Sequence, residues 1–70
     1  MAKLIKNIDG HIIEADYSVW TSMAKIRVDN QERLSKFVFL SATEIVAVGD
    51  KKCIVKFRGT IFPDIEVTEI

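Results

Sequence analysis

Few residues in this chain of 70 are of types that do chemistry, and they do not repeat. The single histidine, His11, directly follows Asp9 and Gly10. A metal site needs several ligands at fixed spacing and there is no second imidazole, so His11 reads as a polar residue beside a turn. The single cysteine, Cys53, follows Lys51 and Lys52, whose charges would favour a thiolate. It is also in phase with Val55 and Phe57, which reads as an inert thiol in a core. Hydrolysis by paired carboxylates, attack by Ser or Cys assisted by His, and zinc chemistry all require convergent groups, and the chain offers single candidates for each. Gly10, Gly49 and Gly59 stand alone, so no loop resembles a phosphate cradle. The expectation is a protein that is not an enzyme, with no metal and no cofactor.

Charge is more informative by position than by total. The formal net charge is zero and the sequence pI is about 6.5, which removes the overall electrostatic footprint of a general nucleic-acid or acidic-membrane binder. Residues 21–58, however, hold eight basic residues against Asp29, Glu32, Glu44 and Asp50, a local excess of four positive charges. Lys25, Arg27, Lys36, Lys56 and Arg58 are on the polar phase of their segments. A basic outer face that contacts phosphates, with Tyr17 or Trp20 stacking on a base, is the nucleic-acid reading. Its competitor is a solvated face crossed by ion pairs. Trp20, Phe37, Phe39 and Phe57 are expected in the core because each buries so much apolar area, and Tyr17 and Phe62 are expected at the surface.

The elements that must position these residues read as strands. In residues 44–57, EIVAVGDKKCIVKF, a reversal around Asp50 and Lys51 sets Val48 opposite Cys53, Val46 opposite Val55 and Glu44 opposite Phe57. Asp9 and Gly10 are the dipeptide that best tolerates a type I′ turn, and a two-residue loop there sets Leu4 opposite Ala15, Ile8 opposite His11 and Lys3 opposite Asp16. Residues 23–29 alternate as a strand, residues 29–33 form a polar turn, and residues 33–40 a further strand. Residues 41–43 read as a corner. Beyond the Arg58 and Gly59 break, residues 61–70 form a charged last strand whose Pro63 belongs at a strand start, bulge or edge.

The expected fold is therefore all-β: one domain over residues 1–70, a small antiparallel barrel or rolled sheet of SH3-like or OB-like size with six or seven short strands. The competing arrangement is an α+β roll in which residues 18–28 form one helix, with Ser18 as its N-cap and Val19, Met23 and Ile26 on one stripe.

The phase of the 44–57 hairpin also carries the functional expectation. If Val46, Val48, Cys53, Val55 and Phe57 point inward, then Ile45, Ala47 and Ile54 point outward, because neighbouring strand residues face opposite sides. So small a sheet cannot easily cover a second apolar side, and an uncovered one resembles an interface. The expected activity is protein–protein contact by a small binding module, a self-associating homodimer acting as a regulator or inhibitor. The alternative is single-stranded nucleic-acid binding through Lys25, Arg27, Lys36, Lys56, Arg58 and Tyr17. No membrane partner is expected, since no run approaches the roughly 20 apolar residues of a span. A lone cysteine and a start without a signal-peptide pattern point to the cytoplasm, or to a virus or plasmid product made there.

Overall fold

A computed structural model describes residues 2–59 and 62–70. Seven antiparallel strands follow one another: β1 (Ala2–Ile8), β2 (His11–Ser18), β3 (Met23–Val28), β4 (Gln31–Phe37), β5 (Ser41–Val48), β6 (Lys51–Arg58) and β7 (Asp64–Glu69). The all-β expectation holds, with the upper of the two strand numbers. β1 to β4 form one sheet in that order and β5 to β7 form a second. The inward residues of the two sheets make one apolar core, with Ile8, Ile13, Ala15, Tyr17, Ala24, Ile26 and Val28 from the first and Val46, Val48, Cys53, Val55, Phe57 and Val67 from the second. Along one side β1 lies against β7. There the Lys6 ammonium donates to the Val67 carbonyl at 3.1 Å, so a side chain reaches across the seam between the two sheets.

Turn chemistry sets the strand ends. Asp9 and Gly10 both have positive φ (52° and 82°), as a type I′ turn demands. The expected β1–β2 register follows, with Leu4 opposite Ala15 and Ile8 opposite His11. Asp29 and Asn30 repeat that conformation at 51° and 65°. The turn is thus two residues long, and β4 begins at Gln31 where a longer turn and a start at Arg33 were expected. At the 44–57 hairpin, Gly49 takes φ 62° as the first loop residue, which suits a type II′ turn over Gly49 and Asp50. The pairing accordingly slips by two from the expected one: Val48 faces Lys51, Val46 faces Cys53, and Glu44 faces Val55. Because two residues is one full pleat repeat, every side chain keeps its expected face.

Other corrections have equally local causes. The helix considered for residues 18–28 does not form. Ala24, Ile26 and Val28 are buried while Lys25 and Arg27 between them are exposed, a period of two that only a strand satisfies. Residues 41–43 continue β5 and do not make a corner. Ile61, where the last strand was expected to start, lies outside the described residues, and the strand observed begins at Asp64. Trp20, expected in the core, is 91% exposed in the β2–β3 connection, Phe37 is exposed because β4 is a sheet edge with only Leu34 half-buried, and Phe39 is exposed in the β4–β5 connection. Tyr17, expected at the surface, is 2% exposed. It continues the inward phase of Ile13 and Ala15, and its hydroxyl donates to the Val38 carbonyl at 2.6 Å. Phe57 is buried and Phe62 exposed, as expected.

Candidate functional site

The outer face of the second sheet carries the expected apolar strip. Ile45 on β5 stands directly opposite Ile54 on β6, with Ala47 two residues further along β5. Ile45 is 65% exposed, Ala47 is exposed, and Ile54 is half-buried. Their neighbours on that face are polar: Thr43 opposite Lys56, Lys52 opposite Ala47, and Thr68 opposite Ile54. No described element lies over the strip, and β5 is the edge of its sheet.

The basic residues are dispersed. Lys25 and Arg27 share the outer face of the first sheet, where Asp16 stands opposite Lys25 and Glu14 opposite Arg27. Glu32 faces Arg27 from the other side. That face holds a shallow depression of about 480 Å³ whose lining mixes Lys3, Lys25 and Arg27 with Glu14 and Asp16. Lys56 and Arg58 are on the outer face of the opposite sheet, across from Glu66 and Asp64. Lys36 faces Ala24 on the core-side phase of β4, and its ammonium donates to Glu44 Oε1 at 2.6 Å across the gap between the sheets. The structure thus does not assemble these five residues on one face, and the buried Tyr17 ring has no surface on which to stack a base.

The β4 and β5 edges are bridged by side chains. The β3–β4 register shifts between Ile26 and Arg27, leaving Arg33 as an extra residue on β4. Its guanidinium donates to the Ala47 carbonyl on β5 at 3.4 Å. Together with the Lys36–Glu44 pair it places charge along two otherwise open strand edges, a common protection against unwanted pairing.

Neither chemistry-bearing side chain is set up for reaction. Cys53 is fully buried, its thiol donates weakly to the Val46 carbonyl at 3.7 Å, and burial pushes the thiol pKa up. Lys51, expected nearby as an activating charge, pairs with Glu69 at 3.8 Å. Among the described residues no three His, Cys, Asp or Glu side chains converge as metal ligands would.

His11 instead fastens two turns together. Its Nδ1 donates to Asp29 Oδ2 at 2.6 Å, while Asp29 Oδ1 accepts from the Ile12 amide at 3.0 Å. The other side of the ring packs against Gly49, where an added Cβ would come within 2.8 Å of Nε2. The hydrogen bond and charge of Asp29 raise the His11 pKa, and the hydrogen bonds from His11 and Ile12 lower that of Asp29. A raised histidine stabilises the fold fully below its unfolded pKa of about 6.5 and ceases to do so as pH rises through the higher folded value. A lowered aspartate contributes above its unfolded pKa of about 3.9 and is lost as pH falls through the lower folded value. Urea midpoints should therefore fall as pH rises from about 6 to about 8, and Asp29→Asn should flatten that dependence. An NMR titration of the only imidazole giving a pKa at or below the unfolded value would contradict the pairing.

The sequence reading missed a second surface, at one end of the molecule. Strand directions place the β2–β3 connection (residues 19–22), the β4–β5 connection (38–40) and the start of the β6–β7 connection at the same end. Three hydrogen bonds tie them together: the Val38 amide to the Ser22 carbonyl at 2.8 Å, the Gly59 amide to the Leu40 carbonyl at 2.8 Å, and the Tyr17 hydroxyl to the Val38 carbonyl. Trp20 (91% exposed), Phe37 (65%), Phe39 (75%) and Leu40 (79%) all project there, and the Phe37 and Phe39 rings stack at 6.4 Å. The available signal was the absence of charge from the segments that meet at this end. For residues 19–22, 37–43 and 59–63 no Asp, Glu, Lys or Arg occurs.

Compared with known proteins, the chain matches no family model, no curated protein and no solved structure.

Proposed function

We propose that the protein is a small non-enzymatic binding module that acts by protein–protein contact, and that its partner is a second copy of itself. The observation that carries this reading is the Ile45–Ile54 pair at the middle of an outer sheet face, beside a sheet edge, with no described element over it. Apolar surface of this kind gains about 25 cal/mol for each Å² removed from water, so a contact of a few hundred Å² offsets part of the cost of association. A two-fold axis is the natural symmetry because it uses one patch twice. The role we propose is that of a cytoplasmic regulator or inhibitor encoded by a virus or plasmid, in keeping with a lone cysteine held as a free thiol. Single-stranded nucleic-acid binding is the weaker reading, since the basic residues are divided between opposite faces and Tyr17 is buried.

Sedimentation tests the proposal directly. The unmodified chain should dimerise at hundreds of micromolar, and Ile45→Glu should return it to monomer with its fold intact, because two unpaired carboxylates would otherwise be buried near the axis. A clean monomer of the unmodified chain at that concentration would remove self-association through this face.

A further inference from the structure

The two ends of the strands differ in charge. At one end the three turns each contain an aspartate, Asp9, Asp29 and Asp50, with His11 and Lys51 beside them. At the other end the connecting residues 19–22, 38–40 and Gly59 contain no formal charge, and Trp20, Phe37, Phe39 and Leu40 stand in solvent. At about 150 to 250 Å² per aromatic side chain, these four expose roughly 500 Å², near the upper end of what a monomer's largest apolar patch reaches.

We infer that this uncharged end is a docking surface for the headgroup–acyl boundary of a lipid bilayer, entered end-on by the tips at Trp20, Phe39 and Leu40. Three observations favour a lipid surface over a folded partner. The first is shape: side chains exposed to the extent of Trp20, Phe39 and Leu40 line no groove, and two copies apposed here would bring protrusion against protrusion, whereas a fluid interface conforms to convex tips. The second is charge. The tips themselves, residues 19–22 and 38–40, carry no ion to dehydrate, and the strand residues behind them mix signs, with Lys36 already paired to Glu44 and Arg58, opposite Ser41 on the outer face, long enough to stay at headgroup level. This end therefore matches a neutral, zwitterionic surface and has no need of anionic lipid. The third is the backbone. The Val38 and Gly59 amides and the Ser22, Leu40 and Val38 carbonyls are bonded within the protein, which lowers the cost of moving these connections out of water. The earlier expectation of no membrane partner rested on spanning length and net charge, and insertion of loop tips to a depth of about 5 to 10 Å depends on neither.

Trp20 is the only tryptophan, so it reports on this end without labelling. On addition of phosphatidylcholine vesicles to the full chain, its emission should shift to the blue and be quenched by lipids brominated in the acyl chain, equally at low and high salt. Phe39→Ser combined with Leu40→Ser keeps the reporter and touches only exposed side chains. Its circular dichroism should be unchanged, and its vesicle partitioning should weaken by about ten- to a hundredfold, the equivalent of removing two partly buried apolar groups. Emission unchanged in a large excess of vesicles would overturn the inference. So would emission that shifts with protein concentration in the absence of lipid, which would place a second copy on this end. A shift confined to anionic vesicles and abolished by salt would overturn it too, since it would mark adsorption by charge. The dimer proposed above concerns the Ile45 face, and Ile45→Glu should leave the vesicle response unaltered, so either idea can fail alone.

Discussion

Phe57→Ala is expected to leave the chain largely unfolded, or at the margin of folding, at room temperature. Phe57 is the largest of the fully buried side chains, and its strand neighbours are Ala42 on β5 and Ile65 on β7. Truncating a buried phenylalanine costs about 3 to 5 kcal/mol, from lost transfer energy and the cavity left behind. A domain of this length is stable by roughly 4 to 10 kcal/mol in all, at 0.05 to 0.15 kcal/mol per residue. The substitution thus removes about three-tenths of the stability at the least, and essentially all of it at the lower end of that range. Urea titration followed by circular dichroism measures it, with Trp20→Ala as the comparison, expected to change stability by less than about 0.5 kcal/mol because the indole is exposed. A loss below about 1.5 kcal/mol at Phe57 would mean that the core is not organised around this side chain.

Gly59→Ala is the second large effect, and its cause is steric. The Gly59 amide is held by the Leu40 carbonyl at 2.8 Å, so the backbone has little room to move. A Cβ at this position would overlap the Tyr17 hydroxyl and come within 2.9 Å of the Phe39 carbonyl oxygen. Relief requires displacing Tyr17 from the Val38 carbonyl, which strands a buried acceptor. Overpacking and a lost buried hydrogen bond together amount to about 2 to 4 kcal/mol. Tyr17→Phe alone should cost about 1 to 3 kcal/mol by leaving the Val38 carbonyl unsatisfied. In the double variant the colliding oxygen is already gone, so the two losses should sum to less than their separate values. Strict additivity would show that the clash is with the Phe39 backbone and not with the phenol.

What the residues made legible was face, and what they left open was coverage. The Asp9 and Gly10 turn fixed the β1–β2 register because that dipeptide accepts two positive φ angles and few others do. The β5–β6 pairing was read two residues out of place, yet Ile45, Ala47 and Ile54 still came out on the outer side, because a shift of two cannot change a face. Phe37 and Phe39 show the limit. Their alternation reads as one strand face but reveals neither that β4 ends at Phe37, leaving Phe39 in the connection, nor that β4 is an edge strand. Tyr17 was readable in principle, since it extends the phase of Ile13 and Ala15, whereas Trp20 lies past the strand end, where phase carries no information. The uncharged end had only a diffuse signature, stretches without charge at 19–22 and 37–43 that nothing local brings together. It exists only because antiparallel order returns residues 19–22 and 38–40 to the same place.

Both sheets are built solely from strands adjacent in the chain, and this has a kinetic meaning. No strand pair within a sheet waits for a distant segment to arrive, and three of the hairpins close through turns of two residues. Loop-closure entropy is therefore small for every ladder, and it becomes appreciable only when the two meanders fold toward each other about residues 38–40 and Lys6 reaches Val67. Sandwiches and barrels are ordinarily slow to form because their contacts are remote in sequence. This chain belongs at the rapid end of that class, with its hairpins in place early and the meeting of the two halves as the step that sets the pace.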